Sequence, residues 1–331
     1  MKEAVHPMES VDDLRQRLGD NRRVFSLFHP LMKDEPLVFV HIALGDEAPS
    51  KMSQVLPASA SPSSDTNLHP GIATFYSISN AQPGLVGIRL GEHLLHSAIE
   101  VSPHIPESRK LRYLSETMVA SELSGFHPQR LQSEFPSLRT FVTLSPIPRF
   151  RPWFEEKLLQ NASGGQFRDD SILSPDDRQS LFESGLAVTR ENKVPASSKT
   201  QWIDILHAFR ELHVIDAGPS SLSEHQYTTL QSILMRLGAR YILEEKHRRK
   251  PLDAVARFHL GNGASVHRLN YGADLSSAGL QRSFGLMINY HYELDTLQKS
   301  KRNFERGNRI EASDEVKAWL ISDGLNSNSK L

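Results

Sequence analysis

The stretch "FYSISNAQPGLVGIRLG", Phe75 to Gly91, decides how this chain is read. Ile72 to Ser79 is rich in β-branched and aromatic residues and reads as a strand. Gln82, Gly84, Leu85 and Gly87 follow, and then Leu90, Leu94, Leu95 and Ala98 recur at helical spacing, with Gly91 inside the first turn. The order is strand, glycine-bearing loop, helix. Such an opening presents free backbone N–H groups, and the helix dipole adds to them, so a phosphate or pyrophosphate fits there. Glycine lets a ligand approach the backbone closely because it carries no side chain. The loop is neither a GxGxxG fingerprint nor a P-loop. Read alone, a plain strand-to-helix turn explains it at least as well.

Upstream, "DDLRQRLG" (Asp12 to Gly19) reads as a short helix. "RRVFSLFHP" and "PLVFVHIAL" read as two strands, with Pro30 to Pro36 forming the turn between them. Val55 to Gly71 is rich in Ser and Pro and reads as a flexible surface insertion. Downstream, "FHPQRLQSEF" suggests a helix and "LRTFVTL" a strand that stops at Ser145. From about Phe154 to His247 the pattern turns helical, with helix starts at Pro175-Asp176-Asp177 and within Ser220 to Glu224. "AVARFHL" and "ASVHRLN" flank Asn262-Gly263 and read as a β-hairpin, which places His259 on a strand. "DLSSAGLQRSFG" suggests a short helix and "LMINYHYEL" a last strand. The class is α+β, because strands at both ends of the sequence bracket a helical segment without regular βαβ alternation.

Composition removes several function classes. The 331 residues carry a net charge of −1, so no global field favours nucleic acid or an anionic membrane. No run of eighteen apolar residues spells a membrane span. Cysteine is absent, which excludes disulfides, thiolate nucleophiles and Cys-based zinc sites. There are 15 histidines but no HExxH, and His207 with Glu211 at i, i+4 reads as a solvated helix face. The first twenty residues resemble neither a secretory signal nor a transit peptide. The chain closes on Ser329-Lys330-Leu331, a peroxisomal address read by an import receptor.

Four places remain for chemistry. Ser145 ends an apolar run just before Pro146 and Pro148. A serine needs an activating neighbour before it reacts, and no GxSxG elbow is present, so a cap hydrogen bond is the competing reading. His259 lies in "ARFHLGNGA", where a satisfied core histidine is the ordinary outcome. Tyr290 and Tyr292 share a face of the last strand and His291 takes the other. The basic cluster "EEKHRRK" (Glu244 to Lys250) suits a phosphate, though a solvated helix end is the simpler reading.

These blocks together resemble one family. "FVTLSPIPRF", "EKHRRKPLDAVARFHLGNGASVHRLNYGAD", "GLMINYHYEL", "EPLVFVHIAL" and "FYSISNAQPGLVGIRLG" are similar to the catalytic domain of malonyl-CoA decarboxylases over nearly the whole chain. The resemblance implies a GNAT-type acyl-CoA-binding mixed sheet with helical insertions. It implies that Gln82, Gly84, Leu85, Gly87 and Gly91 hold the CoA pyrophosphate. It also implies Ser145 and His259 as the catalytic pair, with Tyr292 lining the site. Malonyl-CoA would be the substrate, with CoA as part of it and no further cofactor or metal required. The resemblance further implies a short N-terminal helix over 1–20, a lead-in from a helical domain that the family carries ahead of this region. A GNAT-like domain over 21–325 would hold insertions near 50–70 and 154–247, and 326–331 would be the targeting tail. Homo-oligomer formation stays open. Peroxisomal forms of the family end in Ser-Lys-Leu, while cytoplasmic and mitochondrial locations remain alternatives. Arg149 stands where the family commonly has glycine, and Arg89 lies near a position that is acidic in some members. The rival functions are acyl transfer from CoA to an amine and CoA binding without catalysis.

Overall fold

The computed structural model describes residues 17–19, 21–29, 31–56, 69–85, 90–99, 130–164, 169, 171–188, 198–212, 222–307 and 309–321. Its first half runs β1 (Arg22–His29), β2 (Met32–Gly45), α1 (Met52–Val55), β3 (Ile72–Asn80), a 3-10 turn (Pro83–Leu85), α2 (Leu90–Ile99), α3 (Arg130–Glu134), β4 (Thr140–Thr143) and β5 (Ser145–Pro146). Four longer helices follow: α4 (Phe150–Ser163), α5 (Pro175–Glu183), α6 (Ser198–Glu211) and α7 (Glu224–Leu243). The rest is β6 (Lys246–His247), β7 (Lys250–Pro251), α8 (Ala254–Gly261), β8 (Ser265–Asn270), α9 (Ser277–Ser283), β9 (Met287–Tyr292), α10 (Leu297–Gly307) and α11 (Asp314–Ile321). The mixed α+β class is as expected. Most of the expected helix over Asp12 to Gly19, most of the Val55 to Gly71 insertion and the Ser329-Lys330-Leu331 tail lie outside the described residues, and Arg17 to Gly19 form a turn.

The chain divides into two compact units. The first joins everything up to Ser145 with Asn262–Ala264 and Tyr290–Lys301. Here β1 and β2 pair antiparallel, from Arg22 opposite Ala43 to His29 opposite Met32. The link is tighter than the Pro30-to-Pro36 turn read from sequence. β2 already begins at Met32, and Pro36 sits within it opposite Phe28, where the register shifts. Proline donates no ladder hydrogen bond, so it is tolerated where pairing is interrupted. β2 pairs antiparallel with β3, and β3 pairs parallel with β4, Ile72 opposite Thr140 and Phe75 opposite Thr143. Parallel neighbours cannot be joined by a hairpin, and the crossover between them carries α2 and α3. On the far side of β4 the end of β9 runs antiparallel, Phe141 opposite Tyr292 and Val142 opposite His291. Val38, Val40, Ile42, Ala73, Phe75 and Phe141 are buried in this sheet.

The second unit holds Pro146–Gly261, Ser265–Asn289 and the chain from Arg302. Its core is aromatic: Phe154 meets Phe209 edge-on at 4.8 Å between centroids, and Trp153 tilts against Tyr241 at 5.1 Å. Arg151 is buried among these rings, with its guanidinium over Phe284. It pairs with Glu155 at 2.7 Å and donates to the carbonyls of Arg210 at 3.2 Å and Leu280 at 3.3 Å. One cation thereby ties the C-terminal end of α6 to α9, and at Leu280 it shares a carbonyl that already accepts from Phe284 N. Serines cap three helices by accepting from the third helical amide. Ser174 accepts from Asp177 N at 3.0 Å, Ser223 from Gln226 N at 3.2 Å and Ser276 from Gly279 N at 3.1 Å.

Two local expectations fail in this unit. "AVARFHL" is not a hairpin strand but helix α8, so His259 is helical. The Asp253 side chain accepts from Ala256 N at 2.8 Å and nucleates the first turn. Gly263 does take the positive φ, +89°, that Asn-Gly signals, but it uses it to leave a helix rather than to turn a hairpin. The true short hairpin is β6–β7, within the basic "EEKHRRK" cluster, which had been read as a helix end. Arg248 and Arg249 occupy its tip at φ 49° and 69°, a left-handed region that long side chains rarely adopt.

Candidate active site

Ser145 is delivered by the end of β4. Leu144 N donates to Phe75 O at 3.0 Å, which fastens the turn to β3 before the prolines begin. Ser145 is buried, and its hydroxyl donates to Thr143 Oγ1 at 2.9 Å. Alternation along a strand puts residues 143 and 145 on one face, so this bond follows from local geometry. Thr143 Oγ1 also accepts from Tyr290 N at 3.1 Å, which ties the serine's neighbour to β9. The serine hydroxyl therefore has a fixed direction in a buried setting. Tyr292 is fully buried at the position opposite Phe141, and Tyr290 is the strand neighbour of Thr143.

The strand–loop–helix element has the expected order in the same unit. Leu85 N closes the 3-10 turn on Gln82 O at 3.1 Å. Gln82 spends its side-chain amide on Glu35, at 3.1 Å. Gly84 is exposed, and a Cβ added there would meet nothing within 4 Å. Packing therefore does not demand glycine at 84. Gly91 is buried at the start of α2. Gly87 and Arg89 lie outside the described residues.

His259 belongs to the second unit, on α8, and is buried. Burial in an apolar setting lowers its imidazole from the ordinary 6.5 to about 3, so at neutral pH it is uncharged. A neutral imidazole accepts or donates a hydrogen bond but brings no ready proton. Phe258 meets its ring edge-on at 5.0 Å. Asp253 at the head of the helix is 1% exposed, and burial raises its carboxyl from 3.8 to about 6. Tyr241 has a pKa raised by burial and, secondarily, by Asp253. Arg149 is exposed with φ −116°, so nothing in the backbone there requires glycine. His207 and Glu211 are both exposed on α6, the solvated face that their spacing suggested.

Sequence reading missed two residues. Thr143 was treated only as part of an apolar run, yet its position two before Ser145 on a strand was the available signal. Asp253 lies just ahead of the segment read as a hairpin strand, and Asp before Ala-Val-Ala-Arg is a helix-start signature. Among the described residues, no cluster of three or more His, Asp or Glu side chains could hold a metal ion. None of the described helices is long and apolar enough to cross a membrane.

Comparison with known proteins matches this arrangement to one group. A family model for the malonyl-CoA decarboxylase C-terminal domain matches residues 1–122 and 128–330. The chain is 30% identical over 329 residues to the mitochondrial malonyl-CoA decarboxylase of Rattus norvegicus, covering 99% of this chain and 56% of that protein. Its identity to the Anser anser anser protein of the same name is 29%, covering 99% and 55%. Among solved structures it is similar to malonyl-CoA decarboxylase from Agrobacterium vitis, with TM-score 0.67 and 31% identity over 96% of this chain and 62% of that one. The Cupriavidus metallidurans structure gives 0.63 and 30%, over 95% and 62%. The chain spans just over half the length of these curated relatives. With the family model matching nearly every residue, the chain belongs to the malonyl-CoA decarboxylase C-terminal domain family.

Proposed function

We propose that this chain decarboxylates malonyl-CoA to acetyl-CoA and carbon dioxide. The observation that carries the reading is Ser145, a buried hydroxyl aimed by Thr143 at the end of β4, in a chain of this family. In the reaction the bond between C2 and the carboxylate carbon breaks, and its electron pair passes into the thioester carbonyl as an enolate. Carbon dioxide leaves and C2 takes a proton. The thioester is the electron sink, so the chemistry itself calls for no metal or further cofactor. The protein must hold the carboxylate, steady the oxyanion with fixed donors and deliver the proton. Ser145 contacts the carboxylate and then protonates C2; the serine oxygen takes its proton back from water, and the neutral His259 partners the serine throughout. Tyr292 orients the pair. Covalent acylation of the serine is not needed, because decarboxylation requires no acyl-enzyme.

The CoA end is assigned to Gln82, Gly84, Leu85, Gly87 and Gly91, in a GNAT-type arrangement whose amides face the pyrophosphate. Peroxisomal delivery through Ser329-Lys330-Leu331 is part of the same proposal, and the destination of a reporter protein ending in this tripeptide tests it. The activity is tested by incubating the purified chain with malonyl-CoA labelled at the free carboxylate and no acceptor. Labelled carbon dioxide is expected. Its absence, with product only when an amine is added, favours acyl transfer. CoA-ester binding with no turnover leaves a binding protein.

A further inference from the structure

The caps of the second unit are not alike. α5, α7 and α9 each begin at a serine whose hydroxyl accepts one amide. α8 begins instead at a buried carboxylate. Asp253 Oδ1 accepts from Ala256 N at 2.8 Å. Its main-chain carbonyl takes Arg257 N at 3.1 Å. Its second oxygen is buried and has no hydrogen-bond partner among the described residues. A serine would cap this helix without burying a charge, so stability alone does not account for aspartate here.

We propose that Asp253 is a positioning residue for the decarboxylation: it pins the first turn of α8 and thereby sets where His259 presents its imidazole. This rests on the reading that His259 takes part in the reaction. α8 has eight residues, too few to be stable as a helix without outside support. In helical pairing the amide of residue 259 hangs on the carbonyl of residue 255, in the same peptide unit as the Ala256 amide that Asp253 holds. A charge-assisted bond from a carboxylate fixes the turn more tightly than a bond from a hydroxyl does. The Asp253 charge also suits the positive end of the helix dipole. Freeing the first turn frees the backbone on which the histidine is mounted, and small misplacements of a reacting group are expensive.

The test is steady-state kinetics with malonyl-CoA on the full chain. Asp253→Ala is expected to lower kcat about 10²-fold, the scale set by a misplacement of about 1 Å, with KM changed less than about threefold. Asp253→Asn keeps an oxygen for the cap and is expected to stay within about threefold of wild type. Ser174→Ala and Ser223→Ala remove caps from α5 and α7 and are expected to leave kcat unchanged. Nitrogen-15 NMR of the His259 imidazole is expected to shift in Asp253→Ala and not in the serine variants. Should Asp253→Ala fail to fold, Asp253→Ser takes its place, with an expected loss of about tenfold in kcat for an uncharged cap. Wild-type kcat in Asp253→Ala or Asp253→Ser, beside an inactive His259→Ala, overturns the proposal. So does an equal loss of kcat in the two serine controls. Full activity in His259→Ala instead overturns the underlying reading of the site.

Discussion

Around Ser145 the polar atoms are paired in a chain: the serine donates to Thr143 Oγ1, which also takes the Tyr290 amide. In the helical unit near α8 the balance is different. Asp253 Oδ2, the Tyr241 hydroxyl and Trp153 Nε1 are buried with no hydrogen-bond partner among the described residues, and Trp153 packs on Tyr241. In the first region a short hydrogen-bond chain aims a group. The second holds polar atoms against the cost of taking them out of water. The two regions should therefore answer opposite substitutions with opposite signs. Removing a polar atom beside Ser145 can only cost stability, while removing the charge at Asp253 should return some.

The largest effect expected concerns chemistry. Ser145→Ala and His259→Ala should each lower carbon dioxide release about 10³-fold, on the scale of lost proton-transfer catalysis, while binding of CoA persists. Near-normal turnover in either removes that residue from the mechanism.

Next is the sign test in the second region. The folded pKa of Asp253, about 6, stands above its ordinary 3.8, with burial the main cause and Arg257 partly opposing it. The protonated form is thus the one that folding favours. Its contribution is fully present below about pH 3.8 and is lost as pH rises through about 6. The ionised carboxylate should then cost about 3 kcal/mol at pH 7. Urea unfolding of Asp253→Asn should show a gain of that order at pH 7 to 8, shrinking to nothing near pH 4. A pH-independent difference would break the contrast.

Thr143→Val should move the other way. It keeps the shape but leaves the Ser145 hydroxyl and the Tyr290 amide short of their acceptor, at about 2 kcal/mol of stability. Turnover should fall by about tenfold as the serine loses its direction. Unchanged stability would mean that water replaces the threonine. The smallest effect belongs to the CoA loop. Gly84→Ala meets no neighbour, so thermal stability should hold while KM for malonyl-CoA rises about tenfold, the effect of roughly 1.4 kcal/mol in binding. An unchanged KM would return Gly84 to an ordinary turn.

Strong local patterns were legible in advance. The Pro175 and Ser223 helix starts, the Asn80 exit into α2 and the stop of β4 at Ser145 each depend on neighbours within a few residues. α8 was not legible as a helix, because Ala-Val-Ala-Arg-Phe-His-Leu mixes β-branched and aromatic residues at no clear period. Asn262-Gly263 supplied a true signal of positive φ, but the same geometry serves a helix exit and a hairpin. The β6–β7 hairpin was hidden for the opposite reason: its tip carries two arginines where Asn-Gly is the rule. The hydrogen-bond chain at Ser145 was half visible, since strand alternation places Thr143 beside it. Its link to Tyr290 spans 147 residues of sequence and could not be read from any window.

The antiparallel pairing of Phe141 with Tyr292 also bears on how the chain is made. β4 leaves the ribosome with β3 available on one side, but its other partner is synthesised roughly 150 residues later, a non-local closure of the slow kind. Until then Phe141-Val142-Thr143-Leu144 is an uncovered sheet edge, the sort of apolar ribbon that recruits stray strands. Nascent chains stalled before residue 290 should therefore depend on chaperones far more than the released protein does.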